Sequence, residues 1–253
     1  MPERTHYDAG TPSWIDLTAI ELEPTKAFYG ELFGWEFLTM PAEMGHYTLA
    51  QKNGLNVAAL MPRQEGQELP TMWNTYLATD DVDATLQVAR DAGGTVVMEP
   101  MDIPEQGRVG YLLDPTGAPI GLWQARAHIG AQLVNEPGTI SWNELHTQDS
   151  AAADAFYGKL FPYTFEQVGD GTNFDYAVLS IGGDMVAGRM RAATEASHWQ
   201  PYFAVAVVDK TAEEVAQNGG KVLSEPEDSP YGRMSACQDP WGADFSIITL
   251  PSG

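Results

Sequence analysis

A long internal repeat is the feature of this chain that most constrains its fold. Ala27–Phe33 returns as Ala155–Phe161, and Gly10–Trp14 returns as Gly138–Trp142, both at an offset of 128. Further pairs continue the repeat while the offset slips to 126 and then 125: Trp73 and Trp199, Tyr76 and Tyr202, Gly93-Gly94 and Gly219-Gly220, Gly107-Arg108 and Gly232-Arg233, and Asp114-Pro115 and Asp239-Pro240. Because such small insertions and deletions belong in loops, both halves are expected to share one fold.

Length and composition agree with this reading. With 253 residues, of which 43% are hydrophobic, the chain can bury one or two cores, and the repeat favours two domains. We predict a first domain over residues 10–125, a linker over 126–137 and a second domain over 138–250.

The charge and cysteine content exclude several kinds of partner. Thirteen Lys plus Arg stand against 35 Asp plus Glu, and the resulting charge of −22 repels phosphate backbones and anionic membranes, so neither is an expected partner. A single cysteine, Cys237, rules out an internal disulfide. No apolar run approaches the roughly 18 to 20 residues that span a bilayer, and no signal peptide pattern is visible, so we predict a cytoplasmic protein.

Hydrophobic periodicity predicts the order βαβββ twice in each half, hence four modules. In the first half we predict helices over 24–33 and 82–92 and strands over 13–18, 35–40, 46–52, 55–60, 73–79, 95–98, 108–113 and 119–124. In the second half we predict helices over 151–160 and 210–217 and strands over 141–146, 176–181, 202–208 and 245–249. A surface loop is expected over 62–70 because that segment is rich in Gly, Gln, Glu and Pro.

Four features in this order resemble the vicinal oxygen chelate superfamily: paired βαβββ modules, Phe-Tyr-Gly-x-Leu-Phe-Gly-Trp at a helix end, Gly-Gly after the second helix, and Gly-Arg followed by Asp-Pro-x-Gly-Ala before the last strand. That superfamily includes glyoxalase I, bleomycin-resistance proteins and extradiol dioxygenases. Within it, the chain is most similar to actinobacterial two-domain proteins described as glyoxalase-like or as hydroxylases. The resemblance covers essentially the whole chain and implies an α+β fold in which each module pair curls into a half-open barrel with a ligand cleft. It does not imply one reaction.

Metal-using relatives take ligands from the first and last strands of each module, because a divalent metal needs converging nitrogen or oxygen donors. The corresponding positions in this chain are Trp14, Asn74 and Gly121 in the first half and Trp142, Gln200 and Ser246 in the second. Of these, only Gln200 is a ligand type that the relatives use. We therefore expect no metal site and no other cofactor.

Two strand patterns suggest acid/base chemistry. Residues i and i+2 of a strand share a face, so Trp14 should point with Asp16, and Trp142 with Glu144 and His146. A carboxylate beside an imidazole could act as a general acid/base pair. We predict Glu144, His146 and Asp16 as catalytic residues. The alternative is that His146 ends its strand in solvent and Glu144 bonds a backbone group or an arginine.

Aromatic residues on predicted strands suggest a flat ligand, because ring faces offer stacking area with a single polar group. The residues predicted to bind it are Trp14, Trp142, Asn74, Gln200, Tyr76, Tyr202, Trp123, Arg108 and Arg233. The aromatic residues could instead form ordinary sheet core. The arginines could pair with local carboxylates rather than with an anionic ligand group.

Two functions remain open at this point. The first is a metal-independent enzyme that isomerises, hydrates or hydroxylates an aromatic or polyketide-like small molecule. The second is a non-catalytic protein that binds and sequesters a small molecule such as an antibiotic. A third reading keeps a metal site made of other ligands. Either a monomer or a homodimer is compatible with two complete domains in one chain.

Overall fold

The structure, a computed structural model, describes residues 2–64, 66, 70–193 and 196–250. The first half contains β1 (Pro12–Ala19), α1 (Leu22–Phe33), β2 (Glu36–Thr39), β3 (Thr48–Lys52), β4 (Leu55–Pro62), β5 (Trp73–Ala78), α2 (Val82–Asp91), β6 (Thr95–Ile103), β7 (Gly107–Leu113) and β8 (Pro119–Ala125). The second half contains β9 (Ile140–Thr147), α3 (Ser150–Leu160), β10 (Thr164–Val168), β11 (Tyr176–Ile181), β12 (Asp184–Arg191), β13 (His198–Ala204), α4 (Val208–Gln217), β14 (Lys221–Val222), β15 (Glu227–Ser229), β16 (Gly232–Gln238) and β17 (Asp244–Thr249). The loop predicted over 62–70 lies partly outside the described residues.

Each half forms one mixed sheet. The first has eight strands in the order β2-β3-β4-β1-β5-β8-β7-β6, and the second has nine, with the order β10-β11-β12-β9-β13-β17-β16-β14 and β15 paired to β16. In every module the first strand runs parallel to the last, and the two first strands of a half pair antiparallel at the centre of the sheet. The central strands therefore bring residues of both modules to one place.

Local sequence explains where the helices begin and end. The side chain of Asp81 accepts a hydrogen bond from Ala84 N at the start of α2, and Asp149 does the same at the start of α3. Gly34 ends α1 in the left-handed conformation, with φ of 68°.

The strand predicted over 202–208 is wrong in its position. β13 covers His198–Ala204, and Val208 is already the first residue of α4. Val208 is buried with Thr211, Ala212 and Val215, which is helical spacing. A run of valines has no alternation that could mark where the strand ends, so local pattern does not resolve this boundary.

The buried core lies between the two sheets, and each of its two clusters draws residues from both halves. One cluster joins residues of β1 and α1, such as Ile15 and Phe33, to Phe203 and Phe245 of the second half. The other joins Leu86 and other residues of the α2 module to residues of the α3 module. The two domains thus stabilise each other rather than packing two separate interiors.

The residue that begins each repeat docks on the opposite half. The carbonyl of Gly138 accepts a hydrogen bond from Trp35 Nε1 at 2.7 Å, and the carbonyl of Gly10 accepts one from the hydroxyl of Tyr163. Within the described residues, no helix is long and apolar enough to cross a membrane.

Candidate functional site

The face of the first sheet that points away from its helices carries one row of residues across four neighbouring strands. Trp14 lies opposite Tyr76, Tyr76 opposite Gly121, and Gly121 opposite Tyr111. The repeat places a matching row on the second sheet: Trp142, Tyr202, Ser246 and Ala236. We call these two faces the first cleft and the second cleft.

Asp16 is the centre of a closed hydrogen-bond network in the first cleft. Its Oδ2 accepts from the hydroxyls of Tyr47 at 3.1 Å and Tyr76 at 3.0 Å, and its Oδ1 accepts from Asn74 Nδ2 at 2.9 Å. The hydroxyl of Tyr111 donates to Asn74 Oδ1 at 2.7 Å. Burial raises the pKa of Asp16 to about 6, although the three hydrogen bonds to the carboxylate oppose that rise. This predicted catalytic carboxylate is therefore enclosed by the side chains of its own cleft.

His128, from the segment predicted to be a linker, completes the wall of the first cleft. Its ring lies edge-on to Trp14 with centroids 4.5 Å apart, and its carbonyl accepts from Trp123 Nε1 at 2.8 Å. The imidazole Nε2 is buried without a hydrogen-bond partner among the described residues, and burial lowers the pKa of His128 to about 4. Two predicted ligand-binding residues, Trp14 and Trp123, are thus packed against the protein's own imidazole.

The second cleft brings Glu144 and His146 together. Glu144 Oε1 lies 2.7 Å from His146 Nε2 and accepts from the hydroxyl of Tyr202 at 3.0 Å. The side chain of Glu144 is 6% exposed and that of His146 is 23% exposed. Because Nε2 faces the carboxylate, the neutral tautomer with its proton on Nε2 leaves Nδ1 as an acceptor, and no described residue bonds to Nδ1. The first half has Thr18 at the position of His146, so this pair occurs once.

The second cleft is also less filled than the first. Ala236 stands in the place of Tyr111, and among the described residues no ring packs on Trp142 as His128 packs on Trp14. Trp142 is partly exposed whereas its counterpart Trp14 is buried, and Tyr202 and its counterpart Tyr76 are both partly exposed. Trp142 Nε1 donates to the hydroxyl of Tyr176 at 3.0 Å, which holds the two rings as one wall.

The remaining polar residues of the second cleft bond to one another. Gln200 is buried, and its Nε2 donates to Ser246 Oγ at 3.2 Å. His198 lies opposite His146 on the neighbouring strand, with ring centroids 5.1 Å apart. Burial lowers the pKa of His198, and its Nδ1 lies 3.0 Å from the carbonyl of Ala196.

The two predicted ligand-binding arginines are not brought to either cleft. Arg108 pairs through two nitrogens with Asp83 at 2.7 and 3.0 Å, and Arg233 pairs with Asp209 at 2.6 and 2.8 Å. Asp83 lies in the first turn of α2, on the opposite side of the first sheet from Tyr111, and Asp209 lies in the first turn of α4, on the opposite side of the second sheet from Ala236. Strand alternation turns each arginine toward the helix, so each forms an ion pair with an aspartate of that helix instead of facing the cleft.

The donors in the clefts do not fit the divalent metal that the family fold implies. The indole N–H groups of Trp14 and Trp142 are used as hydrogen-bond donors to tyrosine hydroxyls, and an indole offers no lone pair to a metal. The carboxylate of Asp16 is occupied by three donors. Over the described part of the chain, no group of three His, Cys, Asp or Glu side chains is placed to hold a metal ion.

A cavity of about 520 Å³ lies beside the second cleft rather than over the Glu144–His146 pair. Trp142 lines it, together with the beginnings of β9 and β12, the N-terminal residues and the end of the linker. This cavity and the candidate acid/base pair therefore share the wall formed by Trp142 but are not the same site.

Sequence reasoning missed Tyr47, Tyr176 and His128. Tyr47 and Tyr176 repeat at an offset of 129 just before or at the start of a strand, so the repeat itself carried a signal for them. His128 has no such signal, because only the path of the linker brings its ring between Trp14 and Trp123.

The sequence family described as the Glyoxalase/Bleomycin resistance protein/Dioxygenase superfamily matches residues 11–122 and, a second time, residues 126–247. The chain belongs to this superfamily. It is 43% identical over 255 residues to "Putative glyoxylase CFP32" of Mycobacterium tuberculosis, with 98% of each chain covered. It is 33% identical over 266 residues to "Anthracycline biosynthesis protein DnrV" of Streptomyces peucetius, covering 98% of this chain and 96% of the relative.

Solved structures support the same fold. A Mn(II)-bound glyoxalase from Novosphingobium aromaticivorans has a TM-score of 0.64 at 16% identity, covering 96% of this chain and 85% of that one. The 2,3-dioxygenase LapB from Pseudomonas sp. KL28 has a TM-score of 0.67 at 14% identity, covering 98% and 96%. The fold predicted from the resemblance is confirmed, with two tandem domains and mixed sheets of eight and nine strands.

Proposed function

We propose that this protein is a metal-independent enzyme that moves a proton on a small aromatic or polyketide-like molecule in the second cleft. The observation that carries the proposal is the 2.7 Å contact between Glu144 Oε1 and His146 Nε2, which leaves Nδ1 of the imidazole free of described partners. A carboxylate that orients an imidazole and stabilises its charged form is a recurring arrangement of general base catalysis.

The difference between the two clefts supports the choice of the second. In the first cleft, Thr18 replaces the histidine and three donors occupy Asp16. In the second, Glu144 is held by His146 and Tyr202, while Ala236 leaves the space that Tyr111 fills in the first. One duplicated fold thus carries one packed cleft and one with an accessible base.

The ligand class rests on the walls and on a relative. Trp142, Tyr176 and Tyr202 offer ring surface with few charges, which suits a flat aromatic molecule. The relative from Streptomyces peucetius is named for anthracycline biosynthesis, and anthracyclines contain flat fused rings. An aromatic polyketide is therefore the substrate class that we favour.

In the proposed reaction, Nδ1 of His146 removes a proton from an acidic C–H or from a water molecule, and Glu144 stabilises the imidazolium that forms. Return of the proton to another carbon gives an isomerisation. Attack of the deprotonated water on one carbon of a polarised double bond, followed by return of the proton from the imidazolium to the neighbouring carbon, gives a hydration. Both reactions balance without an external oxidant. Hydroxylation would need an oxidant, so the pair by itself favours isomerase or hydratase chemistry.

The test compares Glu144→Gln with Asp16→Asn, using an anthracycline aglycone as the probe. Turnover is followed by mass spectrometry of the product mixture and by ring absorbance, and binding is followed by calorimetry. We expect Glu144→Gln to lose about 100-fold or more of turnover while binding is retained, as general acid–base catalysis typically contributes that much. Asp16→Asn should keep turnover. Equal turnover in the wild type and Glu144→Gln would remove the catalytic role.

A binding protein is the second candidate, favoured by the continuous wall of Trp142 and Tyr176. It predicts tight binding of the aglycone without any product. Trp142→Ala should then weaken binding, while Glu144→Gln should leave it unchanged. Product formation by the wild type would exclude this reading.

A further inference from the structure

The cavity beside the second cleft has a counterpart in the first half, and that counterpart is filled by the linker. Ala131 N donates to the carbonyl of Ser13 at 2.8 Å, and Gln132 N donates to the carbonyl of Asn56 at 2.7 Å. Gln132 Oε1 also accepts from Asn56 N at 2.9 Å. The linker therefore lies as an added extended segment between the beginnings of β1 and β4.

In the second half the corresponding space is the cavity of about 520 Å³, which no described segment of the chain fills; we call it the groove. The repeat equates Ser13 with Ser141 and Asn56 with Met185, and both of these residues line the cavity. Outside the strand ladders, no described backbone hydrogen bond ends on the carbonyl of Ser141. Met185 is 65% exposed. The carbonyl that the linker caps in the first half thus has no such segment bonded to it in the second, and the exposed side chain of Met185 lines the same cavity.

The segment that could fill this groove is the N-terminal arm, residues 2–9. At the repeat offset of 128 the arm corresponds to linker residues 130–137. Both segments end in the same turn, since Thr11 N bonds to Asp8 O at 3.0 Å and Thr139 N bonds to Glu136 O at 2.9 Å. Arm residues line the cavity but leave about 520 Å³ between themselves and β9. The arm is therefore a roof over the groove, not its occupant.

A single position explains why the arm does not follow the path of the linker. Gly130 has φ of 109°, and a Cβ there would lie 2.2 Å from the carbonyl oxygen of Ser13. The arm has Pro2 at this position, and the proline ring fixes φ near −65°. Pro2 therefore cannot approach Ser141 as Gly130 approaches Ser13, because its Cβ would overlap the carbonyl and its ring excludes the positive φ.

A buried amide supplies the complementary donor. Asn143 is 5% exposed and lines the cavity, and its Oδ1 accepts from Thr75 Oγ1 at 3.0 Å. No described residue accepts a hydrogen bond from its Nδ2. Arg4, Asp8 and Asp184 also line the cavity, so its walls carry charges of both signs.

We propose that this groove binds a short neutral oligopeptide in extended conformation. One peptide N–H donates to the carbonyl of Ser141, as Ala131 does to Ser13, and a peptide carbonyl accepts from Asn143 Nδ2. The volume lies within the range of ordinary ligand sites. The site is separate from the proposed acid/base pair and does not depend on it.

The probe is the blocked tetrapeptide N-acetyl-Gly-Ala-Gln-Leu-amide, which has the sequence of residues 130–133, titrated into the full chain by calorimetry. We expect saturable binding to one site. Asn143→Asp keeps the shape and the acceptor for Thr75 but removes the donor, so binding should weaken at least tenfold. Pro2→Gly allows the arm to take the path of the linker, so it should also weaken binding. Pro2→Ala is its matched control, because alanine disfavours positive φ, and should bind as the wild type does.

Circular dichroism and urea unfolding establish that each variant is folded. Absence of binding at millimolar peptide would overturn the proposal, and so would equal affinity of folded Asn143→Asp and the wild type. Sedimentation without peptide separates a further outcome. If the chain forms a dimer that dissociates when the peptide is added, the groove binds a second copy of the chain instead, and the proposal is overturned.

Discussion

The hydroxyl of Tyr29 donates a hydrogen bond to Asp239 Oδ2 at 3.1 Å, across 210 positions of the chain and from one half to the other. The repeat makes the same bond in reverse, from Tyr157 to Asp114 Oδ2 at 3.0 Å. The repeated helix motif of each half is thus hydrogen-bonded to the repeated Asp-Pro turn of the other half, and these bonds connect the two domains. Each aspartate also accepts backbone N–H bonds within its own turn, so the turn and the interface are built together.

Tyr29→Phe and Tyr157→Phe should each lower the free energy of unfolding by about 1 to 3 kcal/mol. Each change leaves a buried carboxylate oxygen unsatisfied, and also removes the acceptor of the indole N–H of Trp73 or Trp199. Urea unfolding measures the effect. Tyr231→Phe is the control, because Tyr231 is 49% exposed, and it should change stability by less than about 0.5 kcal/mol. A Tyr29→Phe protein as stable as the wild type would show that the bond does not hold the halves together.

The first cleft should contain two titrations whose effects on stability oppose each other. The pKa of Asp16 is raised to about 6 by burial, so its stabilising effect is complete below 3.8 and is lost as pH rises through about 6. The pKa of His128 is lowered to about 4 by burial, so its effect is complete above 6.5 and is lost as pH falls toward 4. Between pH 4.5 and 7 the two contributions run in opposite directions.

Single variants should separate these contributions. Asp16→Asn removes the gain on acidification, so its stability should fall by about 2 kcal/mol more than that of the wild type between pH 7 and pH 4.5. His128→Phe removes the loss on acidification, so between pH 7 and pH 4.5 its free energy of unfolding should fall by about 2 kcal/mol less than that of the wild type. Urea unfolding at the two pH values measures both. Parallel curves for the wild type and both variants would contradict the assigned pKa directions.

Ala236→Tyr should close the second cleft by copying Tyr111 of the first. Ala236 lies opposite Ser246 as Tyr111 lies opposite Gly121, so a tyrosine ring would project over the same row. We expect aglycone affinity to fall at least tenfold, measured by calorimetry. Tyr111→Ala, the reciprocal change in the first cleft, should leave that affinity unchanged. The opposite result would place the ligand in the first cleft.

Gly121→Ser should destabilise the protein by about 1 to 3 kcal/mol, because a Cβ at Gly121 would lie 2.1 Å from Tyr76 Cδ1. Moving Tyr76 would also break its bond to Asp16. Ser246→Gly in the second half removes a hydroxymethyl group whose oxygen accepts from Gln200 and introduces no steric overlap, so it should cost less. Thermal unfolding of the two variants tests this order, and a larger effect of Ser246→Gly would contradict it.

The repeat and the hydrophobic periodicity predicted the modules, most strand positions and the shared face of Glu144 and His146, because all of these depend on short-range spacing. The roles predicted for these two residues remain predictions. Strand alternation also placed Trp14 beside Asp16. It did not reveal that Tyr47, Tyr76 and Asn74 would enclose that carboxylate, since those residues arrive from other strands.

The side of the sheet toward which Arg108 and Arg233 point could not be predicted from the repeat. The repeat marked them as equivalent, but their orientation depended on Asp83 and Asp209, which lie 25 and 24 positions away on helices. Opposite charge is abundant in a chain of −22, so sequence could not single out the partner.

The sequence by itself determined the duplicated βαβββ order, the superfamily and the residue types available to each cleft, because these follow from local periodicity and from the repeat. Only the tertiary structure decided that the cores are shared between halves, that His128 packs into the first cleft, and that the second half leaves a groove open. Those outcomes depend on contacts between segments far apart in the chain, where a single difference such as Gly130 against Pro2 changes what can approach.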